Sequence, residues 1–181
     1  MKIALLGYSG SGKSTLARAL AERCGVPALH LDAVQFLPGW RIRPQEEQLS
    51  LVRAFMDENE EAGWVIDGNY ANLLQPRRLE EADRIVLLLF NRFSSLARVT
   101  ERYRRFRGKS RPDMTEGCAE KLDAEFLWWV LWRGRTRPRR AHYAAIAARW
   151  PDKCVILKNQ RQIDAFLRRF ETEPPSNIGK E

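Results

Sequence analysis

Cysteine is sparse, with only Cys24, Cys118 and Cys154 among 181 residues. An odd number, widely separated and without a C-x-x-C spacing, argues against both a disulfide framework and a zinc site, and makes a reducing, cytoplasmic setting the expectation. The two histidines, His30 and His142, show no metal-ligand spacing either. No run of about 18 apolar residues occurs, so no membrane span is expected. Met1 and Lys2 lead directly into Ile3–Leu6 without a signal-peptide layout. Helix-turn-helix, zinc-finger and RNA-binding signatures are missing as well.

What the chain has in quantity is positive charge, 31 Lys or Arg against 23 Asp or Glu, for a net +8. The segment Arg92 to Arg140 holds 14 of the cations and six of the acids, so its excess equals that of the whole chain. Such a concentration suits nucleotide phosphates or a nucleic-acid backbone, and equally a merely soluble arginine-rich surface. A length of 181 with 44% hydrophobic residues fits one compact domain with a sizeable core. Residues 1–173 are expected to form it, with 174–181 as a polar, disordered tail.

Short apolar runs alternate with helical periodicity along the chain. Lys2 to Leu6, ending at a glycine, has the pattern of a strand buried on both faces of a parallel sheet. Leu16, Leu20 and Cys24 then recur every four residues, with Gly25 as a stop. Further strands are expected at Val26–Leu31, Trp64–Asp67, Arg84–Phe90 and Cys154–Leu157. Helices are expected from Pro44, with Leu49, Val52, Phe55 and Met56 as the apolar face, and over Ser94–Arg107, Glu120–Trp132 and Gln160–Glu171. Gly108 to Gly117 is a polar, cation-rich insertion suited to a mobile lid. The alternation implies an α/β fold of three layers, a five-stranded parallel sheet covered by helices.

Gly7-Tyr8-Ser9-Gly10-Ser11-Gly12-Lys13-Ser14 satisfies G-x-x-x-x-G-K-S between a buried strand and a helix, the context that this phosphate-binding motif, the P-loop, requires. Glycines let backbone amides curl around an anion, and the helix N-terminus adds to that field. Lys13 supplies charge for the β- and γ-phosphates, and the Ser14 hydroxyl is a magnesium ligand. Gly7, Ser9, Gly10, Ser11, Gly12, Lys13, Ser14 and Thr15 are therefore the candidate residues for binding ATP with Mg2+. GTPases carry an N-K-x-D guanine motif, which Lys158-Asn159-Gln160-Arg161 does not match. A short domain with an arginine-rich late insertion is better explained as a kinase, which must grip the transferred phosphoryl group and exclude water.

The chain resembles the nucleoside monophosphate kinase-like and shikimate kinase-like P-loop proteins, in particular the group of DNA topology modulation proteins. The residues that carry this are Gly7 to Thr15, Leu29-His30-Leu31-Asp32 with Pro38-Gly39-Trp40, and Trp64 to Tyr70. Asn91-Arg92-Phe93, Arg111 to Met114 and Glu116-Gly117-Cys118 belong to the same pattern. The resemblance implies the P-loop NTPase fold with a lid over about 98–137. It implies Asp32 as the residue that orients or deprotonates the acceptor, and Asp67 as a magnesium carboxylate acting through water. Arg98 and Arg102, four apart on one helix face, are implied as phosphate contacts, with Arg104, Arg105 and Arg111 as weaker ones. Arg41, Arg43 and Arg78 fall in acceptor-binding segments, and Asn159 marks the adenine edge. Family members often carry an acid where Leu89 stands, so Asp67 is left with more of the metal's demand. Trp128, Trp129 and Trp132 suit core or a partner surface better than base stacking.

The expected function is ATP- and magnesium-dependent transfer of the γ-phosphoryl group to a small acceptor such as a nucleotide, nucleoside, sugar or hydroxy acid. An ATP-regulated nucleic-acid-binding protein and a slow, degenerate kinase are the alternatives.

Overall fold

A computed structural model describes residues 1–172; the tail expected at 174–181 lies outside the described residues. In chain order the elements are β1 (Lys2–Gly7), α1 (Lys13–Cys24), β2 (Ala28–His30), α2 (Leu31–Gln35), β3 (Phe36–Leu37) and β4 (Arg41–Ile42). There follow α3 (Gln45–Glu58), β5 (Trp64–Asp67), α4 (Gln75–Glu81), β6 (Arg84–Leu88), α5 (Arg92–Phe106), α6 (Ala124–Leu131), α7 (Arg137–Arg149), β7 (Cys154–Leu157) and α8 (Gln160–Thr172). The main sheet has five strands in the order β2-β5-β1-β6-β7, all neighbours parallel, and β3 with β4 makes a separate antiparallel ribbon.

Period-two alternation divides the strands between two apolar layers. Ile3, Leu5, Val65, Val86 and Leu88 meet Leu16, Ala17 and Leu20 of α1 and Ile163 and Phe166 of α8. Ala4, Leu6, Ile66, Ile85 and Leu87 meet Val52 and Met56 of α3, Leu79 of α4 and Tyr143 and Ile146 of α7. The central strands are thus buried on both faces, as parallel sheets require, and the expected three-layer α/β sheet is the fold. Each large apolar side chain so buried is worth roughly 1.5–3 kcal/mol.

The boundaries shift where local chemistry intervenes. β2 ends at His30, and Asp32 sits in the first turn of α2, where a carboxylate suits the helix N-terminus, rather than at a strand end. α5 begins at Arg92 because the Asn91 side chain accepts from Ser94 N (2.9 Å). α6 begins at Ala124 because Asp123 accepts from Phe126 N (2.8 Å). α4 and α7 were not anticipated. In α7 only Tyr143 and Ile146 are buried, and alanines and arginines mask the apolar stripe.

Candidate active site

β1 delivers the phosphate-binding loop to the carboxyl edge of the sheet. Gly7 adopts φ +142°, and a Cβ there would lie 2.2 Å from Leu88 O, so the strand can leave the sheet only with glycine at this point. Gly12 caps α1 at φ 92°. The Asn69 side chain clamps the start of the loop, accepting from Gly7 N (2.9 Å) and donating to Gly7 O (2.7 Å). Ser11 is fully buried and donates its hydroxyl to Tyr8 O (2.7 Å). Lys13 Nζ rests on the same carbonyl at 3.0 Å.

Burial pushes the Lys13 ammonium below its ordinary pKa, against the opposing pull of Asp67 and Asp32, and Arg102 and Arg111 push the same way as burial. Five residues from separate segments therefore share one electrostatic neighbourhood. Four of them, Lys13, Asp32, Asp67 and Arg102, are foremost candidates from the sequence. Asp67 ends β5, is 5% exposed, and pairs with His30 Nδ1 at 3.3 Å. Burial works against its carboxylate, but the hydrogen bonds from His30 and Ser14 and the Lys13 charge prevail and hold it below the usual carboxylate range. Its Oδ1 is buried without a hydrogen-bond partner. A buried carboxylate oxygen left over beside a P-loop serine fits a hydrated magnesium ion, which takes few protein ligands and keeps several waters.

Asp32 accepts a 2.6 Å hydrogen bond from the Tyr70 hydroxyl. The pKa of that phenol is raised by burial and then by Asp32, so it stays a donor. Tyr70 is in turn held through its main chain. Arg78 is fully buried and donates to Leu73 O (2.8 Å), Gly68 O (3.2 Å) and Tyr70 O (2.7 Å). Burial lowers its pKa to about 10. Arg78 thus braces the 68–73 loop instead of facing the cleft.

The arginine pair separates in role. Arg98 lies over the Phe90 ring (4.6 Å) and donates to Gln160 Oε1, and its Nη1 would be 2.9 Å from a Cβ placed on Gly12. Arg102 binds Glu120 Oε1 through Nη2 (2.6 Å) and Nε (2.8 Å), while Arg111 binds Glu120 Oε2 (2.7 Å) and Asp113 (2.9 Å). Glu120 is 7% exposed. The 108–120 insertion is also docked on the segment after Asp32. Thr115 Oγ1 donates to Ala33 O (3.0 Å) and Phe36 O (2.6 Å), Gly39 N to Gly117 O (3.2 Å) and Trp40 Nε1 to Ala119 O (3.1 Å).

Several sequence candidates stand apart from this cluster. Arg41 is exposed on β4 and reaches Pro38 O at 3.4 Å. Arg43 donates to Val34 O (2.9 Å) and pairs with Glu47 (3.7 Å). Asn159, exposed after β7, caps α8 by accepting from Gln162 N (3.0 Å). Thr15 is exposed on α1. Leu89 packs against the apolar layer that contains α3 and α7.

Sequence reasoning missed His30, Asn69, Tyr70, Glu120, Trp129 and Arg135. Asn69 and Tyr70 lie within the Trp64 to Tyr70 pattern and could have been singled out beside Asp67. Arg135 carried no signal, yet it lies 4.1 Å from the Tyr8 ring centroid and donates to Phe90 O (2.6 Å) and Ser95 Oγ (2.7 Å). Trp129 Nε1 donates to Ser9 Oγ (3.2 Å).

A parallel sheet ordered around β1, with a glycine-rich loop at its carboxyl edge opening a helix, defines a P-loop nucleotide-binding protein. The chain belongs to the ATPase family associated with various cellular activities (AAA), whose model matches residues 3–110. It is similar to an adenylate kinase of Mycolicibacterium vanbaalenii, 29% identical over 170 residues, covering 80% of this chain and 87% of that protein. An adenylate kinase of Mycobacteroides abscessus is 29% identical over 140 residues, 64% of this chain and 74% of its own length. In three dimensions a candidate kinase from Chloroflexus aurantiacus superposes with a TM-score of 0.57 at 14% identity, covering 93% of this chain and 95% of that one, a likeness of fold. No helix among the described residues is long and apolar enough to cross a membrane.

Proposed function

We propose that the protein is an ATP- and magnesium-dependent kinase that transfers the γ-phosphoryl group to a small acceptor. The reading takes residues 1–173 as one cytoplasmic P-loop kinase-like domain of the DNA topology modulation group, with about 98–137 as its lid. The observation that carries it is the convergence on Lys13 of two carboxylates, Asp32 and Asp67, and two arginines, Arg102 and Arg111. A loop that only held nucleotide would have no use for a second carboxylate braced by its own tyrosine.

In this reading the amides of Gly7 to Thr15 cradle the triphosphate, whose negative charge favours the protonated form of Lys13. The ammonium then exchanges Tyr8 O for phosphate oxygens. The Ser14 hydroxyl and, through water, Asp67 Oδ1 would hold magnesium, which would supply positive charge against the triphosphate. Asp32, fixed by Tyr70, orients the acceptor hydroxyl and receives its proton. The acceptor oxygen bonds to the γ-phosphorus as the bond from that phosphorus to the β,γ-bridging oxygen breaks, and ADP leaves. Arg98 and Arg102 exchange their partners Gln160 and Glu120 for oxygens of the transferred group and stabilise its charge.

The test is magnesium-dependent ADP release across nucleoside monophosphates, nucleosides, sugars and hydroxy acids. An acceptor-stimulated rate that falls about 100- to 1,000-fold in Lys13→Ala is expected. No stimulation by any acceptor would overturn the reading.

A further inference from the structure

A cavity of about 370 Å³ opens between the loop after β5 and the start of α7, lined by Asn69, Ala71, Thr136, Pro138, Arg139, His142 and Tyr143. Two contacts tie it to the phosphate-binding loop. Asn69 is the residue that clamps Gly7. Arg139 lies 4.6 Å from the Trp129 ring centroid, and Trp129 donates to Ser9 Oγ. One wall thus reaches the loop directly through Asn69, and the other through Trp129 behind Arg139.

No carboxylate lines it. Asn69 is already committed, since its oxygen accepts from Gly7 N and from the Tyr143 hydroxyl (3.2 Å) while its nitrogen donates to Gly7 O. Burial pushes the Tyr143 phenol up to about 12, so it remains neutral. The polar tips left over are those of Arg139, His142 and Thr136. The Thr136 side chain makes no capping bond to α7. Half-buried Arg139 lies over the Trp129 ring, and among the described residues no carboxylate or carbonyl takes its N–H groups. The other arginines near the loop are engaged: Arg98 with Gln160, Arg102 and Arg111 with Glu120, Arg135 with Phe90 O and Ser95. A guanidinium seated over an indole ring at a cavity lining, with no protein acceptor on its donors, is suited to receive a planar or tetrahedral oxyanion.

We infer that this cavity is the anion subsite of the acceptor, so that the acceptor is a small hydroxyl compound bearing a phosphate or carboxylate that Arg139 holds, with Thr136 and His142 beside it. The volume falls in the range of small-molecule sites. The inference rests on the kinase reading for the word acceptor, but the subsite itself can be tested without turnover.

The first arm compares hydroxyl acceptors with their uncharged parents: sugar phosphate with sugar, hydroxy acid with its amide. In the intact protein kcat/KM should favour the charged member. Arg139→Met, which keeps an apolar side chain against Trp129, should cut that preference about 10- to 100-fold through KM, with Arg139→Lys intermediate. Which charged class wins distinguishes phosphate from carboxylate. The second arm titrates inorganic phosphate into protein saturated with magnesium and a non-hydrolysable ATP analogue, following tryptophan fluorescence. A saturable change lost in Arg139→Met is expected, because Trp129 lies against that guanidinium. Saturable phosphate binding without turnover of any acceptor would sink the kinase reading and keep the subsite. Turnover of an uncharged acceptor, with Arg139→Met unaltered in both arms, would sink the subsite and keep the kinase.

Discussion

The nucleotide side of the cleft is one continuous segment, Gly7 to Thr15, folded on its own carbonyls and fastened by Asn69. The opposite side is assembled from α2, the 68–73 loop and the 108–120 insertion, held together by Tyr70 on Asp32, Arg78 on three carbonyls and Glu120 between two arginines. The first side depends on backbone conformation, so its weak points are glycines. The second depends on side-chain contacts between distant segments, so its weak points are single polar groups whose loss leaves buried partners unpaired. Variants should separate accordingly, with loop changes abolishing nucleotide binding and changes opposite sparing it.

The largest effect is expected at Gly7. Gly7→Ala places a methyl carbon against Leu88 O in a backbone conformation that alanine avoids, and strain and overpacking together should cost roughly 4 kcal/mol. A large drop in the urea midpoint with loss of ATP binding would agree. A stable variant that still bound ATP would break the contrast. Next comes Glu120→Ala, which leaves Arg102 and the nearly buried Arg111 without their shared carboxylate. Removing one member of a buried ionic set costs about 3–5 kcal/mol. Here that cost should appear as loosening of the insertion in hydrogen exchange and a raised acceptor KM, with ATP affinity changed less than about threefold.

A third variant, Tyr70→Phe, removes one hydroxyl and keeps the ring. A hydrogen bond to a charged group is worth about 1.5–3 kcal/mol, so kcat should fall by about tenfold or more while the KM for ATP stays put. An equal fall in ATP affinity would place Tyr70 on the nucleotide side and blur the distinction.

The same division explains what could be read from the sequence. β1 and β5 stand where their apolar runs place them, because a strand buried on both faces admits little else, and β7, at the sheet edge, keeps its expected bounds as well. The loop was legible because its glycines and lysine are contiguous. α7 was not, since two buried side chains among arginines and alanines leave almost no periodic signal. Arg78 reads as an acceptor-binding candidate because nothing local indicates that the 68–73 loop turns three carbonyls inward. Glu120 and Arg135 owe their positions to partners 18 and 40 or more residues away. Composition marked the arginine segment as a place for anions, yet part of that charge is answered within the fold.

The smallest effect concerns Asp67 and acid. Its carboxylate titrates below the usual range in the folded protein, despite burial, because of His30, Lys13 and Ser14. A depressed folded pKa means that the unfolded chain binds the proton more readily, so the stabilisation is complete above the unfolded value near 4 and is lost as pH falls through the folded one. Asp67→Asn cannot be protonated in this range and lacks that dependence. The difference in urea midpoint between the intact protein and the variant should therefore be constant from about pH 6 to 8. It should narrow below about pH 5, in favour of the variant. A gap that widened in acid would mean that burial, not the surrounding cations and donors, governs this carboxylate, and the magnesium role given to its unpartnered oxygen would lose its electrostatic basis.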